Sequence, residues 1–373
     1  MPAPYDAQTA VEIEPERLAL LPGNELGSAF PPDLSGPFAR NERLRAAKKL
    51  FVGQVFGSES VAVTPGGDLL MLDKFGFLHR AKPRGAPGSS DFELSQERPL
   101  YIGPGRPLGF HIVEEGAALL VCDSLKGLVR VDLATGTISI LANRVTATGL
   151  PFHYANDLDV AADGTVYFTS STAGTVALHP DGYYDTLRSY LLNLLSGDAT
   201  GQLLSFDPVT REVRSLLGGI YYANGVAVSA DGSFVAVVET NLCRVLRYWL
   251  TGPNKGSRDV LIDRLPGMPD GISRSAAGGF WIALVVPLSP LPRLLGPHRW
   301  LRQLASHIMV PLVPYLSKRW GCVIRIDSNG YPMESLMDPT GEHLSSVSAV
   351  TETADGMLFL GNLQGDFVSV LEL

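Results

Sequence analysis

Cysteine is scarce in this chain. Three occur in 373 residues, Cys122, Cys243 and Cys322, far apart and with no CxxC pair. An odd, scattered set excludes a full disulfide framework. Cys122 and Cys243 sit in apolar, strand-like contexts (LLVCDS, TNLCRVL), so buried, inert thiols are expected. Basic charge is also in deficit: 30 Lys and Arg face 38 Asp and Glu, a formal net charge of −8. That disfavours nucleic-acid binding through a general basic surface, and no nucleic-acid partner is expected. There is no run of about 18 apolar residues, so no spanning helix is expected. The N-terminal stretch MPAPYDAQTAVEIEPERLALLPG has neither a basic n-region nor an apolar h-region, and no Asn-x-Ser/Thr sequon occurs. A cytoplasmic or peripheral-membrane location is the expectation. The 45% hydrophobic and 18% charged composition excludes disorder as the general state.

What the sequence does have is repetition. ANDLDVAADG (155–164) and ANGVAVSADG (223–232) share one frame: Ala-Asn, an alternating apolar run, then Ala-Asp-Gly. The frame recurs, more loosely, at 57–73, 106–123, 269–284 and 346–362. Each copy reads as a small or polar anchor, a strand, a turn ending in Gly, and a second strand. Further strand–turn–strand units such as VRVDLATGTISIL (129–141) and LLSFDPVTREVRSLL (203–217) lie between copies. Four strands per repeat of about 45–50 residues is the spacing of propeller blades. The expected fold is all-β, a six-bladed β-propeller spanning 44–373, preceded by an N-terminal arm, 1–43. KKLFVGQVF (48–56) is expected to pair with the C-terminal DFVSVLEL (366–373) and close the ring, which removes an open edge.

The anchors of the six copies are Glu59, Leu108, Asn156, Asn224, Asp270 and Ser348. In a propeller they converge near one mouth of the central channel. Glu59, Asn156, Asn224 and Asp270 offer two carboxylates and two amides. Hard oxygen ligands of this kind suit Ca²⁺ best, with Mg²⁺ or Mn²⁺ as alternatives. No His or Cys occupies an anchor, which argues against a typical zinc site. The competing reading has each Asn or Asp capping its own turn. Four oxygen-bearing residues at one repeat position favour the metal, because a buried polar group without a partner costs a few kcal/mol.

Several blocks resemble the strictosidine synthase-like family: GRPLGF (105–110), DSLKGLVRVD (123–132), NDLDVAADGTVYFTSS (156–171), YYANGVAVSADGSFVAVVET (221–240), YWLTGPNKG (248–256), LPGMPDGI (265–272) and DPTGEH (338–343). The resemblance runs from about residue 44 to the C-terminus and implies a six-bladed propeller. It also implies kinship with the paraoxonases and the gluconolactonase/senescence-marker group, which are metal-dependent esterases and lactonases. Their Glu, Asn and Asp ligands match Glu59, Asn156, Asn224 and Asp270, and the Asp of their PDG motif, here Asp270, is a proposed base. Strictosidine synthase itself condenses an amine with an aldehyde, without metal, through a glutamate in the last blade. That position falls at Ser348, and Glu352 aligns with a different glutamate. There are departures on the hydrolase side too. Leu108 stands where paraoxonases carry a His, with His111 three residues on. Gly271 replaces the family's usual Asn. A cysteine pair before GRPLG is missing, which fits a reducing compartment.

The resemblance therefore implies metal-assisted hydrolysis of a small ester or lactone, arylesterase- or lactonase-like, with Asp270 or Glu59 as the base and His153 as a candidate acid/base at the mouth. Residues 286–320 carry five Arg and Lys (Arg293, Arg299, Arg302, Lys318, Arg319) and no acid. They are expected to form a helical, basic lid between blades five and six, and alternatively to rest on an anionic membrane surface. Two other functions stay open: a non-catalytic binding scaffold with a structural metal, and amine–aldehyde condensation.

Overall fold

The computed structural model describes residues 34–85, 89–289, 295–308, 310, 312 and 319–373. The first two strands of each blade coincide with the six repeats. Blade one contains β2 (Val61–Val63), β3 (Leu69–Leu72), β4 (Phe77–Pro83) and β5 (Phe92–Leu94), with β6 (Leu100–Tyr101) paired to β4. Blade two runs β7 (Pro107–Val113), β8 (Ala118–Asp123), β9 (Gly127–Asp132), β10 (Ile138–Ala142). Blade three runs β11 (Ala155–Val160), β12 (Val166–Ser170), β15 (Gly201–Phe206), β16 (Val213–Ile220). Between β12 and β15 it carries a small hairpin, β13 (Ala177–Leu178) and β14 (Tyr184–Asp185), and helix α1 (Thr186–Ser196). Blade four runs β17 (Ala223–Val228), β18 (Phe234–Glu239), β19 (Arg244–Trp249), β20 (Arg258–Ile262). Blade five runs β21 (Gly267–Arg274), β22 (Phe280–Pro287), β23 (Gly321–Ile326), β24 (Pro332–Asp338).

Blade six joins both ends of the chain. β25 (Val347–Glu352), β26 (Met357–Asn362) and β27 (Val368–Glu372) pair in order, and β1 (Lys48–Leu50) adds antiparallel to β27, Lys49 facing Ser369. The ring closes through the segments the sequence singles out. Closure pairs the outer edge of β27 and leaves only the three-residue β1 at the outside of that blade.

Each blade is buried on both faces by its neighbours. The second strands β8, β18 and β26 are therefore buried at every position, and read as continuous apolar runs rather than as alternation. Six apolar clusters fill the six gaps between neighbouring blades. The Asp-Gly turns do what their sequence implies. At the β17–β18 turn the Gly232 N–H donates to the Ser229 carbonyl (2.9 Å), Asp231 accepts from the Ser233 N–H (3.0 Å), and Gly232 takes φ +68°.

One expectation is corrected. The basic insertion is not between blades five and six. It connects β22 to β23, the second and third strands of blade five. Its described helix, α2 (Arg299–Ile308), packs on α1, and the buried Arg302 Nη1 donates to the Leu195 carbonyl in the last turn of α1 at 2.9 Å. Upstream, residues 34–46 pack along blade five: Asn41 Nδ2 donates to the Ser335 carbonyl, Arg43 pairs with Glu334, and Leu44 is fully buried. The rest of the N-terminal arm lies outside the described residues. All three cysteines are buried and free.

Candidate functional site

A shared backbone device aims the anchors into the channel. In blades two to six the inner-strand ladder loses register directly after the residue preceding the anchor: Pro107/Phe110, Ala155/Leu158, Ala223/Val226, Pro269/Ile272 and Val347/Val350. Leu108, Asn156, Asn224, Asp270 and Ser348 each open such a bulge. Bulges re-aim side chains and interrupt pairing, which is why a polar residue is placed there on an otherwise buried strand. A second regularity precedes it. Two residues before Glu59, Asn156, Asn224 and Ser348 the chain is left-handed, at Gly57, Tyr154, Tyr222 and Ser346 (φ between 53° and 63°). For three non-glycine residues this is unfavourable backbone, and such conformations collect at functional sites.

The residue after the anchor meets the next blade. A Cβ on Gly225 would lie 2.6 Å from the Asp270 carbonyl oxygen, and one on Gly271 would lie 2.6 Å from that of Ser348. The inner strands approach too closely there for a side chain. This is the physical reason that position 271 supplies no ligand here. Blade three uses Asp157 instead, whose carboxylate accepts from the Val226 N–H of blade four at 3.1 Å.

Glu59, Asn156, Asn224 and Asp270 are all buried, none more than 7% exposed. Burial pushes the Glu59 carboxyl up to about 7, with Arg106 pulling the other way. Burial pushes Asp270 well above the carboxylate range, the Glu59 charge adds to it, and the Asn224 amide opposes it. Asp157 is likewise raised to about 7 by burial, against the N–H groups of Val226 and Leu158. Glu59 and Asp270 thus feel one another's charge. Asn224 donates to Thr240 Oγ1 at 3.1 Å, which leaves its amide oxygen for another partner. The side chains of Glu59 and Asn156 have no hydrogen-bond partner among the described residues.

Unpaired oxygens with mutually unfavourable negative charge are what a hard cation would satisfy. The residues present fit such an ion. Among the described residues no group of three or more His, Cys, Asp and Glu is spaced to hold a metal, so half of the donor set must come from the two asparagine amides.

Around this site lies an aromatic and apolar wall of Leu108, Tyr154, Tyr184 and Tyr222, with Tyr190 of α1 stacked edge-on against Tyr222 at 5.0 Å. The cover next to the anchors is α1, with α2 as the outer layer. His153 is half-buried at the rim, and its carbonyl accepts from Ser170 Oγ. His111 is not with the anchors. It sits one step farther down the channel, its Nδ1 3.6 Å from Asp159 Oδ1, which also faces Arg274 at 3.5 Å. Ser348 Oγ donates to the Glu59 carbonyl. Glu352 is occupied elsewhere, accepting from Trp281 Nε1 and the Ala276 N–H, both at 2.8 Å. Sequence reasoning missed Arg106, whose charge acts on both Glu59 and Asp270, as a site residue. Arg106 lies within the GRPLGF block, and that block is the signal that could have found it.

These features define a six-bladed propeller with a buried polar centre at one channel mouth. The strictosidine synthase family profile matches residues 156–253, and that of the strictosidine synthase-like N-terminal region matches 36–80. Adipocyte plasma membrane-associated protein of Salmo salar is 31% identical over 97% of this chain and 84% of its own length. Strictosidine synthase-like protein 10 of Arabidopsis thaliana is 32% identical over 95% of each chain. The chain belongs to the strictosidine synthase-like family. Solved propellers share its fold. A gluconolactonase from Xanthomonas campestris superposes with a TM-score of 0.58 at 18% identity, covering 89% of this chain and 91% of that one. The calcium-binding protein regucalcin from Agrobacterium tumefaciens does so with a TM-score of 0.55 at 15% identity, covering 87% and 92%.

Proposed function

We propose that the protein is a metal-dependent hydrolase of small esters or lactones, with Ca²⁺ as the metal. The observation that carries this reading is the buried oxygen set of Glu59, Asn156, Asn224 and Asp270, in which two carboxylates raised by burial act on one another and the side chains of Glu59 and Asn156 have no hydrogen-bond partner among the described residues. The gluconolactonase and regucalcin likenesses support it at the level of fold. The bound ion would polarise an ester carbonyl and stabilise the charge that develops on it. Asp270 and Glu59 are the carboxylates placed to take a proton from water. Tyr154, Tyr222 and Leu108 exclude solvent and provide an apolar surface for the acyl or alcohol part. His153, at the rim, is the candidate to return a proton to the leaving alcohol.

Amine–aldehyde condensation is disfavoured. Position 348 carries a serine whose hydroxyl is committed to Glu59, and Glu352 is tied to Trp281. The test is turnover of a panel of aryl esters and lactones, before and after chelation and Ca²⁺ return, with Asp270→Ala in parallel. Metal- and Asp270-dependent turnover is expected. Tight metal binding with no turnover of any substrate would replace this reading with a binding scaffold.

A second reading concerns α2. Its inward face buries Arg302, Ala305 and Ser306, with no large apolar side chain among them, while Trp300, Leu304 and Ile308 are 66%, 48% and 53% exposed at i, i+4 and i+8. Arg299, at the start of the same helix, is exposed as well. We propose that it rests on an anionic membrane surface, to which a basic, aromatic-bearing helix is complementary. Among the described residues no helix is long and apolar enough to cross a membrane.

A further inference from the structure

The two amide anchors, Asn156 and Asn224, are held differently. Asn156 has no side-chain partner among the described residues, whereas Asn224 is fastened from behind by Thr240. Thr240 is 5% exposed and follows β18, the second strand of blade four. Its backbone N–H donates to the Tyr222 carbonyl at 3.1 Å, so it lies beside the left-handed residue that leads into Asn224. Its hydroxyl makes two bonds. Asn224 Nδ2 donates to Oγ1 at 3.1 Å, and Oγ1 donates to the Pro269 carbonyl at 2.8 Å. Pro269 directly precedes Asp270 in β21 of blade five. One hydroxyl therefore links the side chain of one candidate ligand to the backbone that carries the next.

The proton count decides which way the Asn224 amide points. A hydroxyl has one proton to give. The Pro269 carbonyl can only accept, and it takes that proton. What Oγ1 offers Asn224 is lone pairs, and only Nδ2 can use them. A flipped amide would set Oδ1 against Oγ1, and two acceptors would compete for one proton. The loser would stay buried without that donor, which is unfavourable. Nδ2 is thus kept on Thr240 and Oδ1 is left free, as a hard cation requires. The Asn224 backbone is fixed as well: Thr169 Oγ1, in β12 of blade three, donates to the Asn224 carbonyl at 2.6 Å.

Blade three provides the contrast. Ser171 occupies the place of Thr240. Its N–H donates to the Tyr154 carbonyl at 2.9 Å, two residues before Asn156, as that of Thr240 does two residues before Asn224. Yet Ser171 Oγ is buried without a partner. The same position carries an engaged hydroxyl in one blade and an idle one in its neighbour. The two bonds of Thr240 are therefore not a requirement of the blade frame.

We propose that Thr240 is a positioning residue of the anchor site. It turns Asn224 so that Oδ1 is the atom offered to a bound cation, and it holds that ligand in step with Asp270. The inference rests on the metal reading of the anchors and adds to it the group that orients one of them. Thr240 acts through Asn224 and is not itself a ligand.

The test measures cation binding to the full chain by calorimetry, with Ca²⁺ and with Tb³⁺ as probes, and needs no substrate. Thr240→Val keeps the shape and removes the hydroxyl, and Thr240→Ser keeps the hydroxyl. Affinity should fall at least about tenfold in Thr240→Val, the size of effect expected of a group that orients a metal ligand, and Thr240→Ser should stay within about threefold of wild type. Ser171→Ala, which removes the idle hydroxyl, should leave affinity unchanged. A merely structural role gives a different result: the metal-free melt falls and the affinity does not. Orientation itself is tested in an Asn224→Asp background, where both terminal side-chain atoms are oxygens and the turn of the group no longer matters. There Thr240→Val should cost less than about threefold. Metal-free melts verify that each variant folds, and Thr240→Cys, whose thiol is a weak hydrogen-bonding group, is read in the same way if Thr240→Val does not. Unchanged affinity in the folded variant, an equal loss in Ser171→Ala, or an undiminished loss in the Asn224→Asp background overturns the role of Thr240 while the metal site stands. If the wild type binds neither ion, the metal reading itself fails and the role falls with it.

Discussion

The Ser348 hydroxyl donates to the backbone carbonyl of Glu59 at 2.8 Å, across the seam where the last blade meets the first. The bond ties one anchor to another and fixes the backbone from which the Glu59 carboxylate projects. Ser348 is 1% exposed, so removing its hydroxyl leaves a buried carbonyl without that donor. Ser348→Ala should cost about 1–3 kcal/mol and weaken metal binding at Glu59. A thermal melt with and without Ca²⁺ measures both. An unchanged melt in both conditions would show that the seam is held by strand pairing alone.

Close approach of the inner strands makes a second prediction. A methyl on Gly225 would meet the Asp270 carbonyl and the Ile272 N–H of the next blade, both at 2.6 Å. These are backbone atoms and cannot swing aside. Gly225→Ala should therefore destabilise by roughly 1–3 kcal/mol and displace Asp270. Gly218→Ala is the control. It lies in β16 with no atom within 4 Å of its added methyl and no left-handed φ, so it should be neutral or slightly stabilising. Chemical denaturation of the two variants separates the effects. Equal stabilities would mean that the blades can spread at no cost.

The ring was legible because every blade must solve the same problem with the same pattern of anchor, strand, Asp-Gly turn and strand. That repetition exposed Glu59, Asn156, Asn224 and Asp270 as equivalent positions, and it exposed the seam between 48–56 and 366–373. The bulges that turn these residues inward are not written in residue types, since Leu108-Gly109 and Asn156-Asp157 form them equally. Arg106 repeats nowhere, so only its burial beside Glu59, with Nη2 on the Gly57 carbonyl, reveals it. Helix α1 was missed because TLRSYLLNLLS is a short insertion among strands. The placement of the basic insertion went wrong for a related reason. GCVIRIDSNG reads alike as the third strand of one blade or the first of the next, and only its pairing with β22 decides.

Asp338 gives a prediction for acid pH. Burial works against its charge, but the N–H groups of Leu344 and His343, the Thr340 hydroxyl and Arg45 outweigh it, so its carboxyl titrates below the ordinary range. A depressed carboxylate contributes fully above the unfolded aspartate pKa of about 3.9. As pH falls below that, the unfolded chain takes up the proton first, and the contribution is lost through the lower folded value. Asp338→Asn should be less stable by about 1.5–3 kcal/mol near neutrality, and the gap to wild type should narrow as pH falls from about 4 to 2. Urea melts across that range measure it. A gap that stays constant would assign the loss to packing rather than to charge.

The outward stripe of α2 gives the last prediction. A helix packed on a globular surface turns its apolar face inward. Here Arg302 and Ser306 go inward and Trp300, Leu304 and Ile308 face out. Each of these three would gain about 1.5–3 kcal/mol on full burial, and part of that gain is available at a lipid interface. Co-sedimentation with vesicles containing phosphatidylserine should show binding that weakens as salt rises, because the exposed Arg299 contributes attraction that salt screens. Trp300→Asp should reduce binding at least about tenfold, since it removes an apolar contact and adds a repelling charge. It should leave the thermal melt within about 0.5 kcal/mol of wild type, as an exposed substitution does. Equal binding to neutral vesicles would remove the electrostatic part of the proposal. Equal binding by Trp300→Asp would remove α2 from the contact altogether.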